Sequence, residues 1–86
     1  MIIWFADRGW EDYQYWAAND KKMLKRVNLL LQDIKRNPND SNGIGKPERL
    51  KENFQDYFSR RITAEHRLVY KIIGDLIVVA QCRFHY

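Results

Sequence analysis

The chain opens with an unbroken apolar run, Ile2-Ile3-Trp4-Phe5. A run that short and continuous predicts a strand buried on both faces. The period then changes. Trp10, Tyr13 and Trp16 or Ala17 recur at steps of three and four, predicting a helix capped by Asp7. Asn19-Asp20 breaks that pattern and supplies a second cap. Beyond it Leu24, Val27, Leu31 and Ile34 form a stripe with Leu30 beside it, and Lys25, Arg26, Asp33 and Lys35 lie off the stripe. This second helix must stop before Pro38, because the residue preceding a proline avoids helical geometry. Residues from Asn37 to Gly45 are rich in Asn, Ser, Pro and Gly, which is loop chemistry. The remainder alternates as strands do: a segment around Phe58 and Ile62, a second from His66 to Ile73, and a third from Leu76 to Phe84. Gly74-Asp75 predicts a tight turn that makes the last two a hairpin. One strand, two helices and then three or four strands define a single α+β domain over residues 1–86. Its sheet is mostly antiparallel, with the two-helix pair packed on one face.

Side chains alternate across a strand, so parity assigns faces. In the last strand Leu76, Val78, Ala80, Cys82 and Phe84 are expected to face the core, and Ile77, Val79, Gln81, Arg83 and His85 to face away. His66, Leu68, Tyr70 and Ile72 fit the core side of the preceding strand, with Arg67, Val69 and Lys71 opposite. Phe58 and Ile62 point inward and Tyr57, Ser59 and Arg61 outward. Arg60 has inward parity, which suits a place at the sheet rim beside an acid. Arg61, Arg67, Arg83 and His85 can then meet on the face the helices leave open.

Composition sharpens this picture. The 86 residues are 45% apolar and 14% aromatic, enough for one modest core. The net charge of +4 is uneven. Residues 43–86 hold eight Lys/Arg against five Asp/Glu, and residues 1–42 hold seven against six. A basic half favours an anionic partner, nucleic acid first. One cysteine excludes an internal disulfide, and with two histidines it makes no zinc site of usual spacing. No metal or cofactor is therefore expected. No run of 18 apolar residues exists to span a membrane, and the opening residues lack the basic start of a signal peptide. The reducing cytoplasm is the expected compartment.

Among the candidate groups, His66 has inward parity and suits a hydrogen-bonded structural role. Cys82 suits a buried apolar one, and the aromatics of the first helix suit the core. His85 is different, because it faces outward among arginines. A carboxylate partner stands in Gly45-Lys46-Pro47-Glu48-Arg49-Leu50-Lys51, where Glu48 is flanked by Lys46 and Lys51. A carboxylate base, an imidazole acid and a cluster of cations form the minimum set for metal-free RNA cleavage. The base takes a ribose 2′-OH proton, the oxygen attacks phosphorus, cations hold the growing phosphoryl charge, and imidazolium protonates the leaving 5′-oxygen. A surface carboxylate in an ion pair is the competing reading of Glu48 alone, and spacing does not decide between them. A non-catalytic basic nucleic-acid-binding module or repressor component would use the same basic face without Glu48 and His85.

Nearly the whole chain resembles the YoeB (Txe/YoeB) toxins, within the RelE-like superfamily. The matching stretches are Trp10-Glu-Asp-Tyr13-Gln-Tyr15-Trp16, Asp20-Lys-Lys, Gly45-Lys-Pro-Glu48-Arg-Leu-Lys51, Ser59-Arg-Arg-Ile-Thr, Glu65-His-Arg67-Leu-Val-Tyr70 and Cys82-Arg-Phe-His85-Tyr86. Phe58 departs from relatives, which often carry Trp or Tyr there. The resemblance implies a RelE/YoeB-like, microbial-RNase-like fold and a ribosome-dependent mRNA interferase that cuts mRNA in the ribosomal A site. It implies Glu48 as general base, His85 as general acid and Arg67 as phosphate holder. Lys46, Lys51 and Arg61 would support Arg67, with Arg83 on the same substrate face and Tyr86 orienting RNA or the catalytic groups. It also implies partners: a cognate YefM/Axe-like antitoxin, the 70S ribosome with mRNA, a second toxin copy, and operator DNA only as the toxin–antitoxin complex.

Overall fold

The computed structural model describes residues 1–39 and 41–86; Asp40, inside the expected loop, lies outside them. The opening apolar run forms strand β1 (Ile2–Phe5), which leads into helix α1 (Asp7–Asn19). Asp7 sits in the helix's first turn, where its charge suits the dipole, but the cap position is Ala6 and no side chain caps it. The second expected cap forms. Asp20 accepts from the backbone N–H groups of Lys22 and Met23 at 3.1 and 3.2 Å and starts α2 (Lys21–Arg36).

A two-residue strand β2 (Glu48–Arg49), absent from the expected elements, precedes β3 (Phe58–Arg61), β4 (Arg67–Ile73) and β5 (Leu76–Gln81). Gly74 turns β4 into β5 with φ of +57°, a left-handed conformation that glycine adopts without strain. The five strands form one sheet in the order β1-β5-β4-β3-β2, antiparallel except where β1 pairs with β5. This is the expected α+β architecture.

The core lies between this sheet and the helices. Val27, Leu30 and Ile34 of α2 meet Leu68, Tyr70, Ile77, Val79 and Cys82, with Ile3, Phe5, Phe58 and Ile72 packed around them. The parity expected for the last strand fails here in an instructive way. Ile77 and Val79 are fully buried, yet so is Cys82, which has the opposite parity. In the ladder Tyr70 pairs with Val79 but Val69 pairs with Gln81, so Ala80 is an extra residue in β5. Such a bulge flips the faces of everything after it. Leu76 and Val78 lie on the open face because Ile77 and Val79 pair with the core-facing Ile72 and Tyr70, and the bulge after them returns Cys82 to the core. Phe84 is not core either, with about half its surface exposed. β1 is also not buried twice over: it is an edge strand, and Ile2 and Trp4 are each 59% exposed on the open face.

Three polar contacts tie α1 to the end of β5. Trp16 Nε1 donates to the Cys82 carbonyl at 2.7 Å, and Asp12 Oδ2 accepts the Cys82 N–H at 3.0 Å. The third is the Cys82 thiol, 3.7 Å from the Gly9 carbonyl. Gly9 allows this approach, because a Cβ there would stand 2.3 Å from the Val79 oxygen. Burial, with the Asp12 carboxylate nearby, pushes the Cys82 thiol up to about 12, so it is a packing group.

Candidate active site

The site begins in β3. Phe58 and Arg60 face the helices, so Ser59 and Arg61 between and beyond them face the open side. Glu48 of β2 pairs with Ser59, and Arg61 pairs with Arg67 at the start of β4. Three of the expected site residues, Glu48, Arg61 and Arg67, thus share one face of three adjacent strands. Glu48 and Arg61 are exposed.

Arg67 is only 8% exposed, and its surroundings explain its aim. The turn before it is closed by Thr63, whose hydroxyl accepts from the N–H groups of Glu65 and His66, both at 3.2 Å. That turn presents three carbonyls, Thr63, Ala64 and His66, to Arg67 Nη1 at 2.7, 3.1 and 3.1 Å. A guanidinium is a planar fork, so fixing Nη1 orients the whole group. Thr63 was not singled out by the sequence reading, although a Thr followed two and three residues later by bonded amides is a recurrent turn pattern.

Lys46 and Lys51 stand on either side of Glu48 along the chain, both exposed. Lys46 follows Gly45 at a sharp bend where both have positive φ, +82° and +52° in chain order. The Gly45 carbonyl accepts the Arg61 N–H at 2.7 Å, tying the bend to β3. After Lys51 a 3₁₀ turn (Glu52–Phe54) carries the chain back toward β3.

The closing segment reaches the site by way of Phe84. Its carbonyl accepts the Arg67 N–H at 3.0 Å, and its own N–H donates to His66 Nδ1 at 2.7 Å. His66 Nδ1 is therefore an acceptor, and the ring also meets Trp16 edge-on at 4.9 Å. This is the structural role expected for it. Phe84 has φ of +65°, and that turn directs His85 and Tyr86 onward with their rings 4.7 Å apart. Tyr86 packs 5.9 Å from Phe54, so these last residues run from the start of β4 to the segment after β2. Both remain exposed.

Arg83 takes a different course. Its guanidinium lies 3.4 Å over the Tyr15 ring and 4.4 Å from Phe84, so it stacks on α1 and keeps aromatic company. Gln81, buried on the open face, donates to the Arg83 carbonyl at 3.4 Å. Among the described residues, no cluster of three His, Cys, Asp or Glu groups is placed to hold a metal ion.

Comparison with known proteins places this geometry among relatives. Residues 5–86 match the family model of the YoeB-like toxin of bacterial type II toxin–antitoxin systems. Toxin YoeB of Synechocystis sp. is 54% identical over 86 residues, covering 100% of this chain and 98% of that one. The YoeB dimer from Staphylococcus aureus superposes with a TM-score of 0.91 at 50% identity, covering 100% of this chain and 98% of that one. A heterotetrameric YoeB–YefM toxin–antitoxin complex from the same organism contains a chain that matches at a TM-score of 0.90, with 50% identity and the same coverage.

Proposed function

The chain belongs to the YoeB-like toxins of bacterial type II toxin–antitoxin systems, and from that premise we propose that it is a ribosome-dependent mRNA interferase. Glu48 removes the proton from a ribose 2′-OH. The oxygen attacks the adjacent phosphorus and forms a 2′,3′-cyclic phosphate as the bond to the 5′-oxygen breaks. His85 as imidazolium protonates that leaving oxygen, and an imidazole holds both protonation states near neutral pH. Arg67, fixed by the Thr63 turn, stabilises the phosphoryl oxygens, and Arg61, Lys46 and Lys51 add positive charge. Tyr86 orients the RNA.

The observation that carries the reading is the register. Arg61 stands opposite Arg67 and Glu48 opposite Ser59 on one open face, and Phe84 leads the closing residues from the Arg67 backbone. With His66 bound to the Phe84 N–H, His85 is the one imidazole left to act as the acid, which suits a reaction whose substrate geometry is imposed by the ribosome. The cytoplasm is the matching compartment. A YefM-like antitoxin and a second toxin copy are the partners, as in the two S. aureus structures. Operator DNA would be bound only by the toxin–antitoxin complex.

The test is mRNA cleavage in a purified translation system, with and without ribosomes, for wild type and His85→Ala. Discrete cuts that need ribosomes and disappear in the variant are expected. Intact mRNA with folded wild-type protein would reject the enzyme and favour an inert nucleic-acid binder.

A further inference from the structure

Arg60 lies between Ser59 and Arg61 in β3, yet its side chain passes to the other side of the sheet and is fully buried. There Nη1 donates to Asp33 Oδ2 of α2 at 2.5 Å and to the Ile44 carbonyl at 3.1 Å, and Nε donates to the Tyr70 hydroxyl at 3.2 Å. The same Asp33 oxygen accepts the Ile44 N–H at 3.1 Å. One ion pair therefore holds both backbone polar groups of Ile44. The fit is close, since a Cβ at Gly43 would stand 2.6 Å from Asp33 Oδ2 and 2.7 Å from Arg60 Nη1. Ile44 itself is exposed and contributes little to the core.

Desolvation offsets most of the attraction within a buried ion pair, so net stability is a poor account of this one. Its position suggests another. Ile44 immediately precedes the Gly45–Lys46 bend, and Glu48 follows four residues after Ile44. A chain containing Gly43 and Gly45 would wander unless it were held at its start. Arg60 also belongs to β3, the middle one of the three strands whose front carries Glu48, Arg61 and Arg67.

We propose that Arg60 and Asp33 are positioning residues for the cleavage reaction. They fix Ile44 behind the sheet and so set where Lys46 and Glu48 stand in front of it. The proposal rests on Glu48 being the base.

Amide hydrogen exchange and ribosome-dependent cleavage kinetics on the full chain test it. The variants are Asp33→Asn and the double variant Asp33→Leu/Arg60→Met, which replaces both charges by apolar groups and keeps the fold testable if the single variant does not fold. Tyr13→Phe is the control for lost stability alone, because its hydroxyl bonds Asn28 between the helices and touches no loop. The expected result is Ile44 amide exchange about tenfold faster in the pair variants than in the control. In the same variants kcat falls about ten- to a hundredfold, at a temperature where all are folded, while KM stays within about twofold. Fast Ile44 exchange with wild-type kcat overturns the positioning role. So does unchanged exchange, and so does an equal loss of kcat in Tyr13→Phe. Wild-type protein that cuts nothing with ribosomes overturns the nuclease reading and the positioning role with it, while the exchange rates still report whether the pair holds Ile44.

Discussion

On the face of the sheet that the helices cover, Leu68, Ile77, Val79 and Cys82 have no exposed surface, and the polar groups among them are bonded to named partners. On the other face Glu48 and Arg61 are exposed beside Arg67, and Ile2 and Trp4 are exposed at the far edge. Neighbouring residues of one strand can thus answer to different demands: Ser59 and Arg61 to the open face, Arg60 to the helix layer. The covered face carries stability because its apolar groups leave water for one another, although Arg60 Nη2 is buried there without a partner among the described residues. The open face can carry charge at Glu48 and Arg61 because those groups keep their hydration, and changing them costs the fold little. Substitutions on the two faces should separate folding from cleavage.

The sharpest break is Cys82→Asp. It places an uncompensated charge in the core beside the Asp12 carboxylate, a cost of about 3–5 kcal/mol or more. Loss of cooperative melting and of near-ultraviolet circular dichroism is the expected outcome; a folded, active variant would overturn the assignment of Cys82 to the core.

Next come Glu48→Gln and His85→Ala, each expected to slow cleavage about 10²–10⁴-fold. Their stability should stay within about 0.5 kcal/mol of wild type, as for other exposed positions. Undiminished cleavage by either variant would remove that residue from the mechanism.

Gly9→Ala probes the covered face more gently. The added methyl meets the Val79 carbonyl oxygen, so α1 must move away from β5 at a cost of about 1–3 kcal/mol, read from urea unfolding. Wild-type stability would mean that α1 packs less closely on β5.

The Arg60–Asp33 pair joins the two faces and should give covered-face stability a pH dependence. The hydrogen bond from the Arg60 guanidinium holds the Asp33 carboxyl below its ordinary value of 3.8. A carboxyl with a depressed folded-state pKa adds stability that is fully present above the unfolded value. That stability is lost as pH falls below 3.8 and through the lower folded-state value. Urea unfolding between neutral and strongly acid pH should show a steeper acid loss in wild type than in Asp33→Leu/Arg60→Met. Parallel curves would mean that the pair carries no linkage.

The smallest effect concerns the Cys82 thiol. With its pKa near 12 and no exposed surface, it should resist alkylation at pH 8 in folded protein and react only as the chain unfolds. Rapid labelling of the native protein would show that the α1–β5 seam opens readily.

Much of the architecture was legible along the chain. β1, the Asp20 cap, the end of α2 before Pro38 and the Gly74 turn each depend on a few neighbouring residues whose chemistry is local. The sharing of one face by Arg61 and Arg67 was legible too, since alternation along each strand suffices for it, whereas their direct pairing came with the register. Arg60 was placed correctly on the inward side and beside an acid, but at a buried position rather than at the rim. Its partner Asp33 had been set off the apolar stripe of α2, because an ionisable group says nothing about burial until its counter-charge is found. The Thr63 turn that aims Arg67 and the stacking of Arg83 on Tyr15 became visible only with coordinates.

The sequence by itself determined the order of the longer elements, the start and end of α2 and the common face of Arg61 and Arg67. These follow from periodicity, capping and turn preferences, which act over a few residues. The tertiary structure decided the phase of β5, the exposure of β1 and the capture of Ile44 by Arg60 and Asp33. Each depends on distant segments: a bulge exists only relative to a partner strand, an edge only relative to the strand order, and an ion pair only where two segments far apart in sequence meet.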